Sequence, residues 1–268
     1  MTTHLAYTRK GSGEPVVLIH GIGHRRQAWN PVFDRLAQKY DVIAVDLAGF
    51  GESAPYPAGT AYNMDNACDI LEQNFAAWGI SKPHVVGNSL GGAISLELGV
   101  RGLVASVTAL SPAGFFRGFD RVVAFFSLIL LKLASYLPAG VVQPTLRSSR
   151  GRHLIGRTLF ERGERLTAEE FIGDSEALRN GSAFFPTLTA GIGYHFATHV
   201  PVPTTIAWGT RDRVLPYAQS GLAQERLPQA DHVALPNCGH VPMVDDPELI
   251  VRVIDQTIAS AKAADRAA

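Results

Sequence analysis

Short runs of apolar and β-branched residues recur along the chain, with longer amphipathic stretches between them. Several runs are apolar on consecutive residues, which is typical of strands buried on both faces of a sheet. The runs are PVVLIHG (15–21), DVIAVDL (41–47), HVVGN (84–88), VASVTALS (104–111), TTIAWG (204–209) and HVALP (232–236). Stretches with helical spacing, such as MDNACDILEQNFAAWG (64–79), separate most of them. The alternation predicts an α/β fold, with a mostly parallel central sheet covered by helices on both faces.

The alternation stops between residues 113 and 199, where the pattern is helical throughout and no strand is legible. TAEE (167–170) has the arrangement of a capping box, which marks a helix start. We therefore expect a core formed by residues 1–112 and 200–268, and a helical cap over 113–199. The nearly all-apolar run 122–137 is shorter than the roughly 20 residues of a membrane span and contains Lys132. It predicts a lid helix rather than a transmembrane segment.

Composition narrows the function classes. The 268 residues contain 24 Lys and Arg against 24 Asp and Glu, so the whole chain carries no electrostatic signature of binding to nucleic acid or to an anionic membrane. The first fifteen residues have no apolar segment typical of a secretion signal, and the two cysteines, Cys68 and Cys238, fit a reducing compartment as free thiols. We therefore expect a cytoplasmic protein. The oligomeric state stays open.

The stretch VVGNSLGGA (85–93) places one serine, Ser89, between Gly87 and Gly91. Glycine tolerates backbone angles and close approaches that a Cβ forbids, so this spacing allows a strand to turn abruptly into a helix. G-x-S-x-G is the pattern of a nucleophile elbow, in which the serine hydroxyl is exposed at the top of a sheet. The pattern also occurs in purely structural turns, so a catalytic interpretation needs partners for Ser89.

Two candidate partners follow later strands. GTRD (209–212) places Asp212 in a polar turn after the run 204–209, and CGHVPM (238–243) places His240 in a loop after the last run. Ser89, Asp212 and His240 all follow their strands, so they are expected at the same edge of a parallel sheet, where such folds bind ligands. A serine needs a base to accept its proton, and the base needs an acid to orient it. We predict a Ser89, His240, Asp212 triad.

An acyl-transfer site also needs donors for the oxyanion. The residue after the nucleophile, Leu90, supplies one backbone amide. HGIG (20–23) closes the strand 15–21, and its Ile22 amide is the predicted second donor.

HGIG, DLAGFGES (46–53), GNSLGG (87–92), GTRD and CGHVPM occur in the order and spacing found in α/β hydrolases. Over nearly its full length the chain resembles that superfamily, specifically the serine-nucleophile group with a helical cap. The resemblance implies acyl-enzyme chemistry without a cofactor. One departure is that only one strand, near residues 5–9, is legible before Pro15, so the antiparallel first strand of the family is expected to be short or absent.

The resemblance and the triad together predict hydrolysis of carboxylic esters of hydrophobic substrates. One alternative is a hydrolase that cleaves the carbon-carbon bond of diketones from aromatic-ring breakdown, since Asn88 matches the GNS elbow of that group. Those enzymes usually carry a glycine-proline-glycine oxyanion loop, and a tryptophan where this chain has Val241. Another alternative is a ligand-binding receptor on the same fold. Dehalogenases and epoxide hydrolases of this fold use an aspartate as the nucleophile. This chain has Ser89 at that position, so both activities are set aside.

The cap is expected to form the substrate pocket. Phe115, Phe125 and Phe126 are predicted to line it, with Val241 beside the catalytic histidine. His195 and His199 have the i, i+4 spacing of helical metal ligands, but no third ligand is legible and no metal is predicted. The arginines of the cap, at 147, 150, 152, 157, 162 and 165, are interpreted as a solvated helical face rather than as a site for an acidic ligand. The expected partner is therefore a small hydrophobic substrate.

Overall fold

A computed structural model describes residues 3–267. The strands are β1 (Tyr7–Lys10), β2 (Pro15–Ile19), β3 (Asp41–Val45), β4 (His84–Asn88), β5 (Ser106–Leu110), β6 (Thr204–Gly209) and β7 (Asp231–Leu235). The helices are α1 (Asn30–Leu36), α2 (Met64–Ala77), α3 (Leu90–Val100), α4 (Asp120–Ala134), α5 (Ala139–Leu146), α6 (Ser149–Gly156), α7 (Ala168–Asn180), α8 (Phe184–Ala190), α9 (Gln219–Arg226), α10 (Pro242–Asp245) and α11 (Pro247–Ala267).

The strands form one sheet in the order β1-β3-β2-β4-β5-β6-β7. Only the β1–β3 pair in this sheet is antiparallel. The predicted fold class, a mostly parallel sheet with helices on both faces, is confirmed. The strand before Pro15 is present but has four residues, and its side chains are exposed at the edge of the sheet. The carboxyl ends of β4, β6 and β7 lie at one edge because these strands run in the same direction.

Each face of the sheet has its own apolar core, which explains the runs of consecutive apolar residues. In β2, Val17 and Ile19 belong to one core together with residues of α2 and α3. Val16 and Leu18 belong to the other, together with residues of α1 and α11. Successive side chains of a strand point to opposite faces, so a strand buried on both sides needs apolar residues at every position.

The helices α4 to α8 lie between β5 and β6 in the chain, and the structure describes no strand there. The capping box predicted at Thr167 and Glu170 begins α7. The two ends of this interval are anchored in the core, because the ring of Phe115 packs against those of Phe196 and Trp208 at centroid distances of 5.9 and 6.2 Å. The boundaries 113 and 199 stay a prediction.

Lys132 joins two helices of the cap. Its side chain is buried, and its ammonium group donates to the carbonyl oxygens of Leu178 (2.6 Å) and Arg179 (3.0 Å) near the end of α7. The last carbonyls of a helix lack intrahelical donors, so a cation there satisfies them and complements the helix dipole. Burial lowers the pKa of Lys132. Lys132 of α4 therefore attaches this helix to the C-terminal end of α7.

Within residues 3–267, no helix combines the length and the apolar character that a bilayer crossing requires.

Cys68 and Cys238 are buried and free, and burial raises the pKa of each thiol to about 12. Both thiols are therefore protonated at neutral pH.

Candidate active site

Ser89 lies in a sharp turn between β4 and α3. Its backbone has φ +56° and ψ −114°, a conformation that few non-glycine residues adopt and that occurs at strained functional turns. Both neighbouring glycines are required sterically. A Cβ at Gly87 would lie 2.0 Å from the Gly91 carbonyl oxygen, and a Cβ at Gly91 would lie 2.1 Å from the Ile19 carbonyl oxygen. The G-x-S-x-G spacing therefore permits α3 to pack directly onto β2 and β4.

Hydrogen bonds hold the turn in place. The Ser89 amide donates to the Leu110 carbonyl oxygen (2.9 Å), and the Ala113 amide donates to the Ser89 carbonyl oxygen (3.1 Å). The Asn88 side chain donates to the carbonyl oxygens of Leu110 (3.2 Å) and His240 (2.9 Å). Asn88 therefore connects the elbow to the loop that carries the histidine, a role for which the sequence contains no local signal.

His240 and Asp212 form a buried pair. The distance from His240 Nδ1 to Asp212 Oδ2 is 2.8 Å. The other carboxylate oxygen of Asp212 accepts from the amides of Val214 (2.9 Å) and Leu215 (2.8 Å). With a carboxylate as its partner, Nδ1 carries the ring proton, and Nε2 is left free to accept one. Ser89 and His240 line the same cavity.

Two other carboxylates near the histidine have different partners. Asp245 is buried and accepts hydrogen bonds from the amides of Gly239 (2.7 Å), Glu161 (2.9 Å) and Arg162 (2.7 Å). It thereby fixes the histidine loop to the cap, and burial raises its pKa. Asp246 accepts from the Leu249 amide (3.0 Å) in the first turn of α11. Asp212 is therefore the carboxylate in contact with His240.

The loop after β2 runs against Ser89. A Cβ at Gly21 would lie 3.2 Å from the Ser89 Cβ, and Ile22 lines the cavity beside Ser89. The buried His20 fixes this loop, because its Nδ1 donates to the Gly21 carbonyl oxygen (2.7 Å) and its Nε2 accepts from the Leu47 amide (3.0 Å). Burial lowers the pKa of His20 to about 4, so the ring is neutral at pH 7.

Leu90 is the first residue of α3, so its amide has no intrahelical acceptor. The amides of Ile22 and Leu90 thus remain the predicted oxyanion donors.

The cavity beside Ser89 has a volume of about 280 Å³ and lies under the cap. The polar groups in its wall come mainly from the loops at the carboxyl ends of the strands and from α7. Its apolar wall is formed by residues of α4 to α7 and of the loop after α6, namely Leu128, Leu131, Ala134, Val142, Leu146, Ile155, Leu159, Phe160, Phe171, Ile172 and Leu178. Val241 also lines the cavity, as the sequence predicts.

The three phenylalanines predicted for the pocket lie elsewhere. Phe115 is fully buried in the core, Phe125 packs against Gly191, and the Phe126 side chain is 60% exposed. The physical reason is the rotation of α4, which turns Leu128 and Leu131 toward the cavity. The prediction of these three residues as the pocket is corrected accordingly.

The two histidines with metal-ligand spacing lie in a loop, and His195 Nδ1 is 3.4 Å from the Gly193 carbonyl oxygen. Among the residues that the structure describes, no three side chains of the metal-ligating types lie close enough to hold an ion.

Comparison with known proteins shows the family to which the chain belongs. A family model described as the alpha/beta hydrolase family matches residues 16–253. The chain belongs to this family. A thermophilic esterase from Thermogutta terrifontis has the same fold as this α/β hydrolase, with a TM-score of 0.73, 21% identity and coverage of 96% of this chain and 93% of the esterase.

Two curated relatives of this α/β hydrolase carry named activities. One is a 2-hydroxy-6-oxo-6-(2'-aminophenyl)hexa-2,4-dienoic acid hydrolase of Metapseudomonas resinovorans, 27% identical and covering 90% of this chain and 83% of its own length. The other is lipase 1 of Psychrobacter immobilis, 26% identical and covering 90% of this chain and 76% of its own. The relatives therefore include a dienoic acid hydrolase and a lipase.

Proposed function

We propose that this α/β hydrolase cleaves carboxylic esters of apolar acids or alcohols through an acyl-enzyme on Ser89. One observation carries the proposal: Ser89, on a strained elbow, faces the same apolar cavity as His240, whose ring is hydrogen-bonded to Asp212. A serine, an oriented base and an apolar binding cavity are the parts that ester hydrolysis requires.

In the proposed mechanism, His240 Nε2 accepts the Ser89 proton as the Ser89 oxygen attacks the ester carbonyl. The amides of Ile22 and Leu90 donate to the oxyanion that forms. Asp212 keeps the proton on Nδ1 and stabilises the imidazolium. The alcohol leaves with the proton from His240. Water then attacks the acyl-enzyme while His240 accepts its proton, and His240 returns this proton to the Ser89 oxygen as the acid leaves.

The cavity supports a substrate of modest size. Its volume of about 280 Å³ is just below the range of roughly 300–1,000 Å³ for ligand pockets. The cap side of its wall is largely aliphatic, which favours an acyl or alkyl chain over a charged group. The lipase relative is consistent with this class of substrate.

Cleavage of a carbon-carbon bond is the second candidate. It is favoured by Asn88, which lies next to the nucleophile at the cavity wall, and by the relationship to the dienoic acid hydrolase. Ester hydrolysis ranks first because the residue after the histidine is Val241 and the loop after β2 is HGIG, both unlike the pattern of that group.

The test is to assay the purified protein against aryl esters of increasing acyl length and against a ring-fission diketone, each with wild type and Ser89→Ala. The proposal expects ester turnover that disappears in a folded Ser89→Ala variant, because the hydroxyl is the nucleophile. Turnover of the diketone alone would favour the second candidate. Tight binding of ligands with no turnover of either substrate would favour a receptor.

A further inference from the structure

The outward face of α4 is apolar and exposed. Its residues recur at intervals of three and four, so they lie on one side of a helix about 22 Å long. They are Val122, Val123, Phe126, Ile129, Leu130 and Leu133, with Phe119 before the helix and Tyr136 after it. Phe119 is 84% exposed and Phe126 is 60% exposed. Monomeric proteins rarely expose a continuous apolar face of this length without a binding role.

The opposite face of the same helix forms part of the cavity. Leu128, Leu131 and Ala134 line it, so α4 alone separates the interior of the cavity from the exposed apolar face. Part of the cavity wall is exposed to solvent just beyond α4. Two of its wall residues, Leu137 and Ile155, are 51% and 42% exposed. The exposed part of the wall at Leu137 therefore lies next to the C-terminal end of the apolar face.

The charge of this part of the chain is strongly asymmetric. Residues 113–156 contain six Lys or Arg but a single acid, Asp120, although the whole chain is balanced. Four of the six are engaged, Arg117 by Glu225, and Arg121, Lys132 and Arg152 by backbone carbonyl oxygens. Arg147 follows α5 and Arg150 lies in the first turn of α6; both are exposed, and neither forms an ion pair within the described residues.

The cavity wall itself contains two acids, Asp174 and Glu176, but each is paired with an arginine, Arg25 and Arg179. Arg147 directly follows the wall residue Leu146, so the unpaired charge next to the cavity wall in the chain is positive.

An exposed apolar helix face in a stretch of chain rich in basic residues has the chemistry of a segment that lies in the headgroup region of an anionic bilayer. We propose that α4 docks on the surface of a membrane containing anionic phospholipid, with its axis parallel to the plane. The overall charge balance conceals this surface because the compensating acids lie outside residues 113–156.

Docking would place the opening of the cavity at the depth where apolar esters partition, so substrates reach Ser89 from the lipid phase. The binding itself does not depend on the proposed hydrolase activity. It is measured with Ser89→Ala as well as with wild type, which separates a failure of docking from a failure of the proposed function.

The experiment is flotation of the protein with vesicles of phosphatidylcholine, with and without phosphatidylglycerol. Wild type is expected to float with the anionic vesicles and to be released by high salt. Phe126→Ser should weaken binding by about tenfold or more, since it removes a large apolar side chain from the lipid. The matched control, Tyr217→Ser, removes a ring that is 40% exposed on the core and should bind as wild type does.

The charge is tested separately. Arg150→Gln should weaken binding to anionic vesicles by about fivefold and leave the weaker binding to phosphatidylcholine unchanged. Because Phe126 and Arg150 are exposed, their variants are expected to fold, which circular dichroism checks. The proposal is wrong if wild type floats with neither vesicle, or if Phe126→Ser floats as wild type does. It is also wrong if sedimentation velocity reveals a dimer that Phe126→Ser disrupts.

Discussion

At the scale of single residues, both oxygens of Asp212 are engaged, one by His240 and the other by the amides of Val214 and Leu215. An asparagine at this position keeps the shape but can place its NH₂ group, a donor, opposite His240 Nδ1. Nδ1 must then accept a hydrogen bond, and the ring proton moves to Nε2. Asp212→Asn should therefore lower kcat by up to about 10⁴-fold, because the ring adopts the wrong tautomer. Ester turnover of the folded variant measures this.

The matched control for that substitution is Asp246→Asn. Asp246 accepts a single helix-start hydrogen bond, which asparagine also accepts, so its turnover should stay close to that of wild type. Unchanged kcat in a folded Asp212→Asn variant would assign the orienting role to another group.

His20 makes stability depend on pH. Its folded-state pKa is about 4, below the ordinary value of 6.5, so the folded protein is stabilised when the ring is neutral. That stabilisation is complete above pH 6.5 and is lost as the pH falls toward 4, by up to about 3 kcal/mol. Urea unfolding at a series of pH values should show the slope in wild type and a smaller one in His20→Gln. Replacing the exposed His195 by Gln should leave the slope as it is.

At the scale of elements, the elbow depends on the contact between α3 and β2. In Gly91→Ala the new Cβ would lie 2.1 Å from the Ile19 carbonyl oxygen, so the backbone must move and Ser89 with it. We expect a lower melting temperature and a loss of most ester turnover. Gly221→Ala in α9 is the control, since nothing lies within 4 Å of its added Cβ and alanine favours a helix by about 0.5–1 kcal/mol. Equal stability of the two variants would contradict this account.

The sequence predicts the strands and the edge that carries Ser89, Asp212 and His240, because a strand buried on both faces must be apolar at consecutive positions and parallel strands end together. It cannot predict which face of α4 meets the cavity. A helix that is apolar around most of its circumference has no pattern to fix its rotation, so Phe125 and Phe126 were as plausible as Leu128 and Leu131. Likewise, in the sequence Lys132 only interrupts an apolar run. Its role depends on the carbonyl oxygens of α7, which the sequence does not place beside it. Contacts between distant segments, such as Asn88 with His240, have no local signal at all.

At the scale of the whole molecule, the cavity lies between core and cap, so its length limits the substrate. In wild type, kcat/KM for soluble aryl esters should rise by about fourfold for each added methylene, until the cavity is filled. Leu131→Phe adds volume to the cavity wall and so reduces the space for the acyl chain. It should move the maximum of kcat/KM to shorter acyl chains, with little effect on acetate esters. Phe126→Leu, on the opposite face of α4, should leave the profile of soluble esters unchanged. A profile that shifts in Phe126→Leu and not in Leu131→Phe would mean that α4 presents its other face to the substrate.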